Sequence, residues 1–100
     1  MKRTDKIANG TSFHDHTFTA TVDDLRNVLG QPKFESNDGQ DKCNFDWIME
    51  TEDGTVFTVY DWKEYRQLDE NEDIEWHIGG RSGLTTGKAL SEITKSLDSI

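Results

Sequence analysis

One cysteine and one proline, Cys43 and Pro32, stand among one hundred residues. A lone cysteine excludes an intramolecular disulfide framework, so a fold has to rest on its core. No apolar run approaches the ~20 residues that a membrane-spanning helix needs. The opening "MKRTDKIANG" has basic residues with no apolar segment behind them, so no signal peptide is read there. Positive charge is also scarce: 11 Lys and Arg stand against 20 Asp and Glu, for a net charge of −9. Direct binding of nucleic acid is disfavoured, because it is driven largely by cations on phosphates. An acidic protein instead approaches basic surfaces faster, and its charge also keeps it soluble.

Apolar residues make up 32% and charged residues 31%, which implies a thin core under a solvated surface. Aromatics at 10% supply burial that such a core needs, at roughly 150–250 Å² each, and favour a folded chain over a disordered one. The length fits one domain.

Along the chain, residues 1–11 are polar and end in the turn signal "NGTS", predicting a flexible N-terminal tail before a single domain over 12–100. "FHDHTFTATV" alternates Phe18, Ala20 and Val22 with threonines and reads as a strand. "TVDDLRNVLGQP" reads as a short helix. Thr21 and Asp24 have capping-box spacing, Val22, Leu25, Val28 and Leu29 share a face, and Gly30 and Pro32 end it. "KFESNDGQDK" is a turn-rich loop. "CNFDWIMETEDGTVFTVYDW" is a hairpin around Asp53-Gly54, with apolar residues on both faces of both strands, as for a central pair.

Five of the seven residues from Asp69 to Glu75 are acidic, predicting a solvated loop. "IEWHIGG" gives a strand, and Leu90, Ile93, Leu97 and Ile100 give a last helix capped by Thr85 or Thr86. The order β-α-β-β-β-α predicts an α+β fold: a small antiparallel sheet with helices on one face.

The stretch "EWHIGGRSGLTTGKAL" draws most of the functional interest. A Gly-rich corner at Gly79-Gly80 leading into a helix can offer backbone N–H groups to an anion, with Arg81, Ser82, Thr85 and Thr86 adding side-chain bonds. The spacing is not that of a P-loop, and a strand-to-helix corner needs glycines and a cap for its own sake. Tyr60, Trp62, Tyr65 and Trp76 form an aromatic set, of which Trp62 and Trp76 read as rim aromatics able to sandwich a base. Lys63 and Arg66 are basic islands that either share a rim with Arg81 or neutralise the acidic run. The candidate ligand site is therefore Trp62, Lys63, Trp76, His77, Gly79, Gly80, Arg81, Ser82, Thr85 and Thr86. An alternative partner surface is Asp69, Glu70, Glu72, Asp73 and Glu75.

His14, His16, Cys43 and His77 are zinc-type residues without zinc spacing, so no metal and no cofactor is expected. Asp61 with Glu64 is a carboxylate pair of the kind an acidic chain produces by chance, and no nucleophile motif accompanies it. A non-enzymatic role follows.

"GTVFTVYDWKEYR" and "EWHIGGRS" resemble segments of small, roughly hundred-residue proteins encoded by tailed bacteriophages and prophages. In these a Phe-Gly-x-Pro-like helix end, here Leu29-Gly30-Gln31-Pro32, precedes an aromatic hairpin ending in Tyr-Asp-Trp-Lys. A Trp-His-Ile-Gly-Gly element and a C-terminal helix follow. The resemblance spans roughly residues 10–98, with Leu29 in place of the expected Phe. It implies an accessory protein in the cytoplasm of a bacterial host, acting against host immunity. The leading expectation is a sponge for a cyclic nucleotide signal, with its pocket built across a homo-oligomer. The alternatives are an acidic inhibitor of a host defence nuclease or CRISPR effector, and a virion or assembly component.

Overall fold

The alternating hairpin decides the layering. The computed structural model describes residues 1–100. Its strands are β1 (Lys2–Arg3), β2 (Ser12–Ala20), β3 (Phe34–Glu35), β4 (Phe45–Glu50), β5 (Val56–Tyr60) and β6 (Ile74–Gly80). Helix α1 (Val22–Leu29) follows β2, and α2 (Gly83–Leu97) closes the chain. The six strands form one antiparallel sheet in the order β1-β4-β5-β6-β2, with β3 also pairing with β4.

One face of the sheet presents Phe45, Trp47, Met49, Phe57, Val59, Ile74, Trp76 and Ile78, all buried, to Val22, Leu25 and Leu29 of α1 and Ala89 and Ile93 of α2. Each such apolar side chain contributes about 1.5–3 kcal/mol on burial. The two core indoles have polar handles to satisfy, and each finds a carbonyl. Trp47 Nε1 donates to Gly30 O at 2.8 Å, and Trp76 Nε1 donates to Ala20 O at 2.9 Å. Helix α1 starts where its sequence signals place it, with the Thr21 hydroxyl accepting from Asp24 N at 3.1 Å. It ends at Gly30, whose φ of 83° favours glycine.

Four local expectations are corrected. Gly79 and Gly80 are the last residues of β6, not a corner. A Cβ on Gly79 would stand 2.5 Å from Thr58 Oγ1, and one on Gly80 2.8 Å from Thr86 Cγ2, so close side-chain approach explains both glycines. Helix α2 begins earlier than the threonines suggest: Ser82 is its cap, accepting from Thr85 N at 3.2 Å. Trp76 lies in the middle of β6 with no exposed surface. The segment 33–42, expected as loop throughout, contributes β3 to the sheet.

Residues 1–11, expected as a flexible tail, lie against the sheet. The Met1 ammonium pairs with Glu92 of α2 at 3.2 Å, and Lys2 and Arg3 form β1. Lys6 reaches Glu50 Oε2 at 2.8 Å and Gly54 O at 2.9 Å. Arg81 then donates to Asn9 O at 3.1 Å and Ile7 O at 3.3 Å, tying the arm down.

Candidate functional site

The helices cover one face of the sheet, so side chains of the opposite pleat stand on a second face. The register aligns Asp46 with Phe34 on one side and Tyr60 on the other, and continues through His77 to Thr17. A second row runs Ile48, Thr58, Gly79 and Phe13. Cross-strand neighbours of this kind touch, and here they build an aromatic strip. Phe13 tilts against His77 with centroids 4.9 Å apart, His77 stacks on Tyr60 at 5.8 Å and 22°, and Tyr60 meets Trp62 edge-on at 6.0 Å.

Trp62 is 41% exposed and carries two cations: Lys63 Nζ lies 5.4 Å and Lys42 Nζ 5.9 Å from its ring centroid. The Lys63 amide donates to Lys42 O at 2.7 Å, which fixes the two lysines' backbones together. A half-exposed ring with ammonium groups over it offers positive charge to an anionic ligand, and its face to a planar group that displaces a lysine.

Beside Tyr60 the second face has an open hollow of about 290 Å³, lined by Asp46, Ile48, Thr58, Tyr60 and Gly79 of the sheet and by Ala8, Thr11 and Ser12. Cys43 also lines it. Small-molecule sites run from about 300 to 1,000 Å³, so this one lies at the bottom of that range. Asp46 Oδ1 is buried there with no hydrogen-bond partner. Burial, and then the charge of Asp61, raise the Asp46 carboxyl from 3.8 to about 6. The same burial, with Asp61, Asp46 and Asp41 nearby, pushes the Cys43 thiol up to about 11, so it stays protonated at neutral pH. His77 Nδ1 is the other buried atom without a partner.

Asp61 itself is fully committed. Its Oδ1 accepts from the amides of Asn44 at 2.8 Å and Phe45 at 2.9 Å, and its Oδ2 accepts from Asn44 Nδ2 at 3.2 Å. It anchors the start of β4, and Glu64 instead lies 3.8 Å from Arg66. A wider hollow of about 570 Å³ between Thr19, Asp24, Asn27 and Leu97 holds no unpartnered buried group, and neither does one of about 310 Å³ beside Arg3 and Gln31.

The ten residues expected as one ligand site fall into three groups. Trp62, Lys63 and His77 share the second face. Because β5 and β6 run antiparallel with Tyr60 opposite His77, Arg81 emerges at the far end of the sheet from Trp62 and Lys63. There Arg81 binds the arm's carbonyls, Ser82 caps α2, Thr85 supplies the capped amide, and Thr86 is buried, bonding His16 Nδ1 at 2.7 Å. Trp76 and Gly80 are buried in the sheet, and so is Gly79, which also borders the second-face cavity. Arg81, Ser82 and Thr85 thus gather at the start of α2, apart from the Trp62 and Lys63 end of the sheet.

Arg66 turns to the acidic run, gripping Glu72 with two bonds of 2.6 and 3.0 Å. Glu70 pairs with Arg26 at 3.0 Å, Asp69 Oδ1 accepts from Asn71 N at 2.8 Å, and Asp73 and Glu75 are exposed. The Glu70 carbonyl receives the Asp23 amide at 3.1 Å, which brings Asp23 and Asp24 of α1 beside the run. His14 and His16 point to different partners, Gly80 O and Thr86, and no three His, Cys, Asp or Glu side chains converge as a metal site would require.

Asp46 and Lys42 are absent from the expected site, and Tyr60 figures only in the aromatic set. The one sequence signal for them is the hairpin's apolar character on both faces, which shows that the second pleat is not simply solvated. Comparison with protein families, with curated proteins and with solved structures finds no significant match.

Proposed function

We propose that this protein is a non-enzymatic binding protein that captures a nucleotide-class ligand on the second face of its sheet. The observation that carries the reading is the Trp62 ring with Lys42 and Lys63 over it, continuous through Tyr60 with a cavity of about 290 Å³. A base that displaces a lysine from the ring face gains about 1–3 kcal/mol of stacking, and the lysines supply charge for a phosphate. The resemblance to small phage proteins supplies a setting in which such capture withdraws a cyclic nucleotide signal from bacterial immunity. No helix of the fold is long and apolar enough to cross a membrane.

Thermal unfolding with a panel of mononucleotides and cyclic nucleotides tests the reading. A ligand at one hundred times its Kd stabilises by about 2.7 kcal/mol. A shift lost in Trp62→Ala supports the platform, and a flat panel removes it.

A second reading, docking onto a basic surface of a host protein, is favoured by the way α1 brings Asp23 and Asp24 to the run at 69–75, where Arg26 and Arg66 are the pairing cations. Neutralising Asp69, Asp73 and Glu75 would then slow association and flatten its salt dependence.

A further inference from the structure

Of everything in the molecule, the Asp46 carboxylate is the hardest group to explain by folding alone. It occupies the floor of the second-face cavity, one oxygen is buried without a donor, and no side chain or amide of the protein bonds to the other. Buried polar atoms left in this state cost stability unless something supplies the missing bond. The nearby hydroxyl-bearing groups do not supply it: Tyr60 and Thr58 line the same cavity without bonding Asp46.

We infer that Asp46 reads the paired N–H donors of a guanine base, and so makes the site guanine-specific. This rests on the nucleotide reading above and names the base. A carboxylate has two acceptor oxygens and, once Asp46 turns its buried Oδ1 to the cavity beside Oδ2, takes two parallel N–H groups at once. Guanine presents such a pair, its ring N1–H and its 2-amino group, on one edge. Adenine presents one donor beside an acceptor, and that ring nitrogen would face a carboxylate oxygen lone pair to lone pair. Hypoxanthine keeps the ring N–H and lacks the amino group. A base stacked on Trp62 and lying along Tyr60 would turn its donor edge toward Asp46 and keep its phosphate beside Lys42 and Lys63. An arginine side chain of a protein partner carries the same fork of donors. The two ammonium groups over Trp62, next along from Tyr60, favour an anionic ligand over that cation.

The test measures the affinities of GMP, IMP and AMP for the full chain by calorimetry, in wild type, Asp46→Asn and Trp62→Ala. GMP should bind wild type about tenfold to a hundredfold more tightly than AMP, the discrimination expected of a good two-bond base contact, with IMP between them. Asp46→Asn, which turns one acceptor into a donor, should abolish that preference while AMP binding changes little. Trp62→Ala should weaken all three alike.

Equal affinities of wild type for GMP and AMP would overturn the inference and leave the platform standing, and so would an unchanged preference in Asp46→Asn. Binding of free arginine in place of GMP would overturn it in favour of a protein side chain. Failure of all three nucleotides to bind would overturn both. The comparison of GMP with IMP on wild type needs no variant, so the result does not hang on how a substitution folds.

Discussion

Replacing Asp46 by asparagine should make the protein more stable at neutral and basic pH. Burial and Asp61 raise the Asp46 carboxyl from 3.8 to about 6, so the folded state holds this proton more tightly than the unfolded chain does. The group's favourable contribution is complete below 3.8 and is lost as pH rises through about 6. Above that, the fold carries a buried charge with no donor. Two pKa units at 1.36 kcal/mol each give about 3 kcal/mol, which the site's partial access to solvent reduces to about 2 kcal/mol.

The neutral amide of Asp46→Asn avoids this cost at nearly constant volume. Urea or thermal unfolding from pH 4 to pH 8 is the assay. At pH 8 the variant should be ahead by about 2 kcal/mol, or roughly 10 °C in Tm for a domain of this size. At pH 4 the two should agree within about 0.5 kcal/mol, the usual effect of a surface change. Equal stability at pH 8 would refute the reasoning. An advantage of the same size at both pH values would refute it too, because the gain would then come from packing and not from charge. Confirmation would identify Asp46 as a residue kept at the expense of stability, the common mark of a functional position.

Other expectations follow from the same geometry. Arg81→Ala should cost about 1 kcal/mol, raise amide exchange in residues 4–11 selectively, and leave nucleotide affinity within about twofold, since Arg81 bonds the arm's carbonyls; loss of binding would return the anion site to the Gly79–Thr86 segment. Gly79→Ala should destabilise by about 1–3 kcal/mol through overpacking against Thr58 Oγ1, with partial recovery in Thr58→Ala/Gly79→Ala, measured by urea unfolding. No recovery in the double variant would remove Thr58 as the cause. Bonds from Lys6, Lys2 and Thr4 hold the Glu50 carboxyl down at about 2. The stability it lends is present above 4.5 and lost as pH falls through about 2. Amides of residues 2–6 should therefore lose protection early in acid, unless Glu50→Gln shows the same protection at pH 7 as wild type.

Local signals made most of the fold legible in the sequence. Helix α1 announces itself through Thr21, Asp24 and Gly30, each within hydrogen-bond reach along the chain. The hairpin is readable from its period-two pattern and Gly54, although Gly54 alone takes a positive φ, in a loop over 51–55. The candidate site was far less legible, because it depends on register between distant strands. Asp46 reads in sequence as an ordinary outward residue between Phe45 and Trp47. It is half-buried, with Oδ1 fully enclosed, because β3, β5 and the arm gather around it.

Gly79 and Gly80 misled for a related reason: glycine signals a turn or a close approach with equal force, and the close approach comes from Thr58 and Thr86, 21 and 6 residues away. Trp76 had an apolar strand around it and belonged to the core, whereas Trp62, just past the end of β5, stayed at the rim.

The most direct test of a ligand site on the second face is an amide NMR map of the full chain titrated with GMP. The account predicts shifts concentrated in residues 42–46, 58–63 and 77–79, with the helix faces unmoved. Shifts centred on residues 81–86, or none at saturating nucleotide, would contradict it.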